Sequence, residues 1–284
     1  MRTLIFGASG MLGSDLCAAA PRGSSIIPLG SADADITNRS EVASVFRDAR
    51  PDWVINAAAY TAVDRAETEQ DAAEAVNGRA PGHLAQEAAR RQIAVVHFSS
   101  DYVFAGTATT PYREEDPVAP LNVYGRSKLL GEQAVLTSGA HVLVLRTQWL
   151  FGRSGMSFPR TMWERALAGL PTRVVNDQFG RPTYTRDLAV ATWKLIERRA
   201  SGIVHVTSGG TAATWFDVAR EVFSRARAEP LLAPCASADY PTAARRPSYS
   251  VLGTTRIERL LSAPLPDWRN ALDRFLDEIT SASG

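Results

Sequence analysis

Thr3-Leu4-Ile5-Phe6-Gly7-Ala8-Ser9-Gly10-Met11-Leu12-Gly13 decides how the chain folds. The run into Phe6 is short, almost wholly apolar and lacks polar alternation. That pattern predicts a strand buried on both faces, as in a parallel sheet. A helix is predicted from Met11 to Ala20, where Pro21 ends it. Strand, glycine turn and helix in direct succession predict a cradle for a dinucleotide pyrophosphate. Gly7 permits the sharp turn, Gly10 lets the diphosphate reach the backbone at the helix N-terminus, and Gly13 lets helix and strand pack closely. The turn reads G-x-x-G-x-x-G, and the same glycines would also serve a tight ligand-free turn.

Working outward, Ser25-Ile26-Ile27-Pro28-Leu29 is the predicted second strand. Many NAD enzymes carry an acid at its end for the adenosine ribose. Here that place holds Gly30, so nothing is expected to repel a 2′-phosphate, and NADPH is permitted beside NADH. Arg22 and Arg39 are near enough in sequence to help hold that phosphate. Asp35-Ile36-Thr37 precedes a predicted helix, Arg39 to Ala49; Asp35 either contacts the adenine or caps the helix. Asp52 to Ala59 reads as a fourth strand and its exit. Its small residues leave room for a ribose, with Tyr60 and Thr61 on the cleft floor. Helices near Asp71–Ala75 and Pro81–Arg91 lead to a strand at Ala94–Phe98. The alternation predicts an α/β fold, a Rossmann-type doubly wound parallel sheet with ligands at the carboxyl ends of its strands.

Bulk properties narrow the function classes. The 284 residues carry a net charge of +1 with 45% hydrophobic and 21% charged residues, which suits a globular enzyme and suggests neither a nucleic-acid nor a membrane partner. Cys17 and Cys235 lie far apart without metal-ligand spacing, as expected in a reducing cytoplasm. Met1 leads directly into the first strand with no signal-peptide pattern, and the tail after Ile279 is expected to fray.

The chemistry concentrates in two stretches. Tyr124-Gly125-Arg126-Ser127-Lys128 places a phenol and an ammonium on one helix face. A neighbouring ammonium is expected to lower the phenol pKa and make Tyr124 a proton donor to a carbonyl oxygen. Ser100 follows the 94–98 strand at the cleft edge, where it can hydrogen-bond both a substrate carbonyl and Tyr124. His97 alternates with apolar neighbours and reads as a core histidine.

Several stretches, in order, carry a family resemblance. They are the glycine turn, Asn56-Ala57-Ala58-Ala59-Tyr60-Thr61-Ala62-Val63-Asp64, Ser99-Ser100-Asp101-Tyr102-Val103-Phe104, Pro120-Leu121-Asn122-Val123-Tyr124, Leu145-Arg146-Thr147-Gln148-Trp149, Asn176-Asp177-Gln178-Phe179-Gly180 and Ala244-Arg245-Arg246-Pro247. On them the chain resembles the extended short-chain dehydrogenase/reductase superfamily and, within it, the dTDP-4-dehydrorhamnose reductase family of dTDP-rhamnose biosynthesis. The resemblance implies NADPH- or NADH-dependent reduction of a 4-keto sugar nucleotide. It makes Tyr124 the proton donor and puts Lys128 on the nicotinamide ribose. It gives cofactor contacts to Gly10, Met11, Leu12, Asp35, Ile36, Ala59, Tyr60, Thr61 and Phe98, and substrate contacts to Ser100, Asp101 and Trp149. Ser100 stands where the family usually has threonine and keeps the hydroxyl. Related dehydratases carry an Asp-Glu pair where this chain has Asp101-Tyr102, which argues against elimination. A regulatory NADP-binding subunit, like that of methionine adenosyltransferase, is the non-enzymatic alternative. Some family members dimerise around magnesium; Asp15 and Glu278 match two of its ligand places, but Arg186 takes the third, although Asp187 is adjacent, leaving magnesium and a homodimer open.

Beyond residue 150 the pattern reads as a smaller substrate-binding region, 151–284, interleaved with the nucleotide-binding region 1–150. Helices are predicted at Met156–Leu170, Asp187–Arg199 and Trp215–Arg227, the last capped by Thr214 or Ser208. A strand at Arg173–Asn176 is expected to rejoin the main sheet, and another is predicted at Gly202–Val206. Met162, Ala166 and Leu170 read as a core stripe. Arg245 and Arg246 are either the cations for a nucleotide diphosphate or a solvated pair.

Overall fold

The structure is a computed structural model and describes residues 1–281. The first half alternates as its sequence predicts: β1 (Arg2–Phe6), α1 (Met11–Ala18), β2 (Ser25–Leu29), α2 (Arg39–Ala49) and β3 (Trp53–Asn56). Residues 35–37 form a turn, so Trp53–Asn56 is the third strand in the chain and not the fourth. Two short helices follow, α3 (Val63–Ala66) and α4 (Gln70–Glu74). A π-helical turn over Ala75–Arg79 then runs into α5 (Ala80–Arg90). β4 (Ala94–Ser100), α6 (Val123–Leu136) and β5 (Val142–Thr147) complete this half.

The second half holds β6 (Leu150–Phe151), α7 (Phe158–Leu167), β7 (Thr172–Val175), β8 (Phe179–Gly180), β9 (Thr183–Tyr184) and α8 (Thr185–Glu197). It continues with β10 (Gly202–His205), β11 (Ala213–Thr214), α9 (Trp215–Arg225), β12 (Leu232–Cys235), α10 (Thr255–Leu261) and α11 (Trp268–Ser281). The fraying expected after Ile279 is not seen at Thr280 and Ser281, which are helical, and the rest of that tail lies outside the described residues.

Six parallel strands form the main sheet in the order β10-β5-β4-β3-β1-β2. Neighbouring residues of β1 enter opposite cores: Ile5 joins Leu12, Leu16 and Leu188 on one face, and Leu4 and Phe6 join Phe46 and Leu84 on the other. That two-sided burial is why the strand is apolar throughout. The strand order reverses between β1 and β3, and a crevice opens at such a switch point.

The strand that returns to the sheet is β10, paired with β5; β7 pairs instead with β12, Thr172 opposite Leu232. This overturns the expectation for residues 173–176. β7 buries Thr172 and Val174 but exposes Arg173, a one-faced pattern that cannot fill a sheet covered on both sides. α8 packs on α1, and α10 packs on β10 and α8, so the chain beyond residue 151 contributes to both lobes. A separate core of α7, α9 and α11 gathers Met162, Val222, Phe223, Trp268 and Phe275. Leu170 lies past the end of α7 and is exposed, unlike Met162 and Ala166. Thr214 and Asp217 form the reciprocal cap of α9, an arrangement contributing about 1 kcal/mol.

Helix α6 is seated with little tolerance. A Cβ at Gly125 would lie 2.2 Å from the Tyr102 carbonyl oxygen, and one at Gly131 would lie 2.1 Å from that of Asn77. Asn122 caps the helix by accepting from the Gly125 N–H at 2.8 Å. The buried Arg146 of β5 donates two hydrogen bonds to Glu132 at 2.7 and 2.9 Å, fixing α6 to the sheet.

Candidate active site

The glycine turn is tight where the spacing required it. Gly7 has φ +75°, and a Cβ there would lie 2.6 Å from the Ala58 nitrogen. A Cβ at Gly13 would lie 2.0 Å from the Gly7 carbonyl oxygen, so Gly13 supports the turn from beneath and is not among the cleft-lining residues. Gly10 is the N-cap of α1 with no side-chain hydrogen bond, which leaves the first amides of the helix open toward the cleft.

The cleft has a volume of about 1010 Å³ and runs from this turn to the end of β5. Gly7, Gly10, Met11 and Leu12 line one end with Gly30, Asp35 and Ile36; Ala59, Thr61 and Phe98 line its middle. The Tyr60 ring is not on the floor as expected, because its hydroxyl donates to Glu69 Oε2 at 2.6 Å. The Tyr60 backbone is instead clamped by Asn77, whose Oδ1 accepts from its N–H and whose Nδ2 donates to its carbonyl, each at 2.9 Å. Asn77 Nδ2 also donates to Ser127 Oγ at 3.0 Å, tying the cleft floor to α6. Asn77 lies in the π-helical turn, a feature that often marks functional sites and that no residue periodicity announces.

Asp35 lines the cleft but does not cap α2. Its carboxylate accepts from the Thr37 N–H and Oγ1, and Asn38 is the cap. Neither arginine expected near the end of β2 is free there. Arg22 precedes the start of β2, at the other end of that strand from the cleft, and the Arg39 guanidinium contacts His83 of α5. The end of β2 is not free of negative charge either: Asp33 folds its carboxylate back to accept from the Gly30 N–H at 2.7 Å.

At the other end, Ser100, Asp101, Tyr124 and Lys128 converge, although the first two leave β4 and the last two ride on α6. Lys128 Nζ donates to the Phe98 carbonyl at 2.6 Å and is not among the groups that shift the Tyr124 phenol. Burial pushes that phenol up to about 12, the Asp101 charge adds to the rise, and the Ser100 hydrogen bond opposes it. The expected lowering by the lysine is therefore not what the cleft does: Lys128 reaches back to the sheet, and desolvation governs the phenol. Burial also pulls Lys128 down to about 8, opposed by Glu132. Asp101 is raised to about 7 by burial, against hydrogen bonds from Ser250 and Ser100; Ser100 Oγ donates to its Oδ1 at 2.9 Å. His97 is buried between sheet neighbours and held well below its ordinary pKa, as a core histidine.

Trp149 lies on the wall with φ +47°, stacked on Trp215 at 3.6 Å between centroids. A Cβ at Gly180 would lie 2.4 Å from Trp149 Cε2, which accounts for the glycine after Phe179. Pairing of β8 with β11 brings Trp215 to this wall, with Met156 beside it. Sequence reading missed Trp215 and Met156, because a tryptophan at a helix start carries no mark of the partner it will stack on. Arg246 lines the cleft and donates to both oxygens of Asp64, at 3.0 and 2.7 Å, while Arg245 is exposed. The two arginines thus have different fates and are not a solvated pair. Tyr102 sets its ring edge-on to Tyr124 at 5.7 Å.

The residues matched to magnesium do not fit that ion. Asp15 accepts from Thr185 Oγ1 and Glu278 from the Tyr184 hydroxyl, each at 2.5 Å, and Asp187 pairs with Arg274. Arg186 and Arg153 supply positive charge near Asp15, and among the described residues no three His, Cys, Asp or Glu side chains cluster to hold a metal.

A doubly wound sheet with this glycine turn and a Ser–Tyr–Lys set at its carboxyl edge defines an extended short-chain dehydrogenase/reductase. Within that class the chain belongs to the RmlD substrate binding domain family, whose sequence profile matches residues 1–281. It is 46% identical to a probable dTDP-4,6-dihydroxy-2-methyloxan-3-one 4-ketoreductase of Streptomyces antibioticus, over 99% of this chain and 97% of that one. It is 40% identical to a dTDP-4-dehydrorhamnose reductase of Burkholderia thailandensis, over 99% and 100%. The crystal structure of the dTDP-4-dehydrorhamnose reductase of Bacillus anthracis in complex with NADP superposes with a TM-score of 0.93 at 36% identity, covering 98% of this chain and 99% of that one.

Proposed function

We propose that this protein reduces the C4 ketone of dTDP-4-dehydro-β-L-rhamnose to give dTDP-L-rhamnose, using NADPH or NADH. The observation that carries the reading is the convergence of Ser100, Tyr124 and Lys128 with the Trp149–Trp215 wall in one cleft below the glycine turn. A bound nicotinamide nucleotide supplies the hydride. Tyr124 carries its proton at neutral pH, as an ordinary phenol does and as burial reinforces, and it gives that proton to the alkoxide forming at C4. Ser100 hydrogen-bonds the same oxygen, and Lys128 holds the nicotinamide ribose and offsets developing negative charge. The tryptophan wall offers an apolar face to the deoxysugar. Arg246 exchanges part of its Asp64 pairing for the diphosphate. The chain beyond residue 151 adds Met156, Trp215 and Arg246 to this substrate side. Pyridine nucleotide, sugar nucleotide and two unpaired cysteines together suit a cytoplasmic enzyme.

A second reading keeps the chemistry and changes the sugar: the Streptomyces antibioticus relative favours a 4-ketoreductase for another deoxysugar nucleotide. Elimination is disfavoured because Tyr102 supplies no second carboxylate beside Asp101. Steady-state NAD(P)H oxidation with a panel of dTDP-4-keto-6-deoxy sugars tests the reading. Turnover is expected with dTDP-4-dehydro-β-L-rhamnose; turnover with another sugar alone selects the second reading, and none with any sugar selects a binding subunit.

A further inference from the structure

Ser100 meets two demands on one proton. Its Oγ donates to Asp101 Oδ1 at 2.9 Å, and the same hydroxyl bonds the Tyr124 phenol. A serine hydroxyl has one hydrogen to donate and two lone pairs with which to accept. The Tyr102 N–H donates to Oγ at 3.2 Å, which leaves one lone pair. While Asp101 is a carboxylate it takes the hydrogen, and Tyr124 goes without it. With Asp101 as the acid, the carboxyl O–H fills the remaining lone pair. The Ser100 hydrogen is then free for Tyr124 and the sugar oxygen beside it.

The surroundings favour the acid. Asp101 is 2% exposed, and its Oδ2 is buried without a hydrogen-bond partner. Among the described residues no cation acts on it, and burial raises its carboxyl to about 7. The other titratable and charged groups at this end are unsuited to supply Tyr124. Lys128 Nζ is turned to the Phe98 carbonyl, and Arg246 is paired with Asp64. Tyr102 meets Tyr124 ring edge to ring face, and burial makes its phenol a weaker acid than usual. His97 is enclosed in the sheet and held neutral.

We propose that Asp101 enters the reaction as the neutral acid and, through Ser100, replaces the proton that Tyr124 gives to the sugar. The assignment deepens the reading of the cleft as a C4-ketoreductase site and rests on it. Once Tyr124 has protonated the alkoxide, the Ser100 O–H breaks and its proton re-forms the O–H of Tyr124. The Asp101 O–H breaks with it, and that proton restores Ser100. The negative charge ends on Asp101, and solvent returns a proton there when the product leaves.

The test is stopped-flow absorbance of the reduced nicotinamide with a 4-keto sugar nucleotide, on the full native chain and on Asp101→Asn. The amide has the same shape and can donate to Ser100 Oγ, but it has no proton to pass on. Asp101→Asn should oxidise one nicotinamide per site at close to the native rate and then slow at least about tenfold. The native chain carries its own check: kcat should fall as pH rises through about 7, and Asp101→Asn should lose that fall. Full steady-state turnover in Asp101→Asn, or a native pH profile that the substitution leaves unchanged, overturns the relay. Loss of the first turnover together with the later ones also overturns it and makes Asp101 a residue that only holds substrate. No turnover by the native chain with any 4-keto sugar overturns the ketoreductase reading, and the relay with it.

Discussion

The two ends of the cleft are built differently. At the cofactor end, one continuous stretch makes the glycine cradle, with β1, the turn and α1 in residues 2–18, and Gly30, Asp35 and Ile36 close it from the next loop. At the substrate end, Trp149, Gly180 and Trp215 come from three separate segments and meet only after β8 pairs with β11. Local chain geometry therefore governs the first end and long-range packing the second. Tyr124 stands where they join, on a helix clamped to the floor of the cofactor end through Asn77.

Substitutions should separate the two ends. The largest effect is expected at the join: Tyr124→Phe should lower kcat about 10²-fold or more while leaving the dissociation constant for NADH within about twofold, by stopped-flow and fluorescence titration. Retention of full turnover would remove Tyr124 from the chemistry. At the cofactor end, Gly13→Ala forces a methyl against the Gly7 carbonyl. It should cost about 1–3 kcal/mol in denaturant unfolding and weaken nucleotide binding, because the turn itself must shift. Trp215→Ala should do the reverse, raising KM for the sugar nucleotide about tenfold with nucleotide affinity unchanged. Loss of nucleotide binding in Trp215→Ala would erase the distinction between the ends.

Lys128 gives two smaller and opposite signals. Its folded pKa lies near 8 against an ordinary 10.5, so the ammonium is present below that pH, and kcat/KM should fall as pH rises through about 8. For stability the sign is different. The unfolded chain binds more protons than the folded one between those two values, so stability should rise with pH across that window. Burying the charge is unfavourable at pH 7, and Lys128→Met should raise Tm by roughly 2–4 °C, about 1 kcal/mol, while activity is lost. A lower Tm would mean that the bond to the Phe98 carbonyl outweighs the desolvation.

What could be read in advance follows the same division. The glycine turn, β4, Ser100 and the Tyr124–Lys128 face were legible because strand and helix periodicity place them without tertiary information. Three features were not. The pattern of β7 marks it as a strand but cannot name β12 as its neighbour. Asp33 reaches the end of β2 only because the chain turns back on Gly30, so its position three residues on concealed the charge. The phenol pKa depends on enclosure, which spacing along one helix does not report, and so its shift had the opposite sign from that expected of a lysine neighbour.

The central claim is that this cleft delivers hydride to C4 of a sugar nucleotide. It is tested most directly by NMR of the product formed from dTDP-4-dehydro-β-L-rhamnose and nicotinamide nucleotide carrying deuterium on both faces of its C4. The account predicts dTDP-L-rhamnose with deuterium at C4 of the sugar. An unconsumed substrate, or a product without deuterium at that carbon, would contradict it.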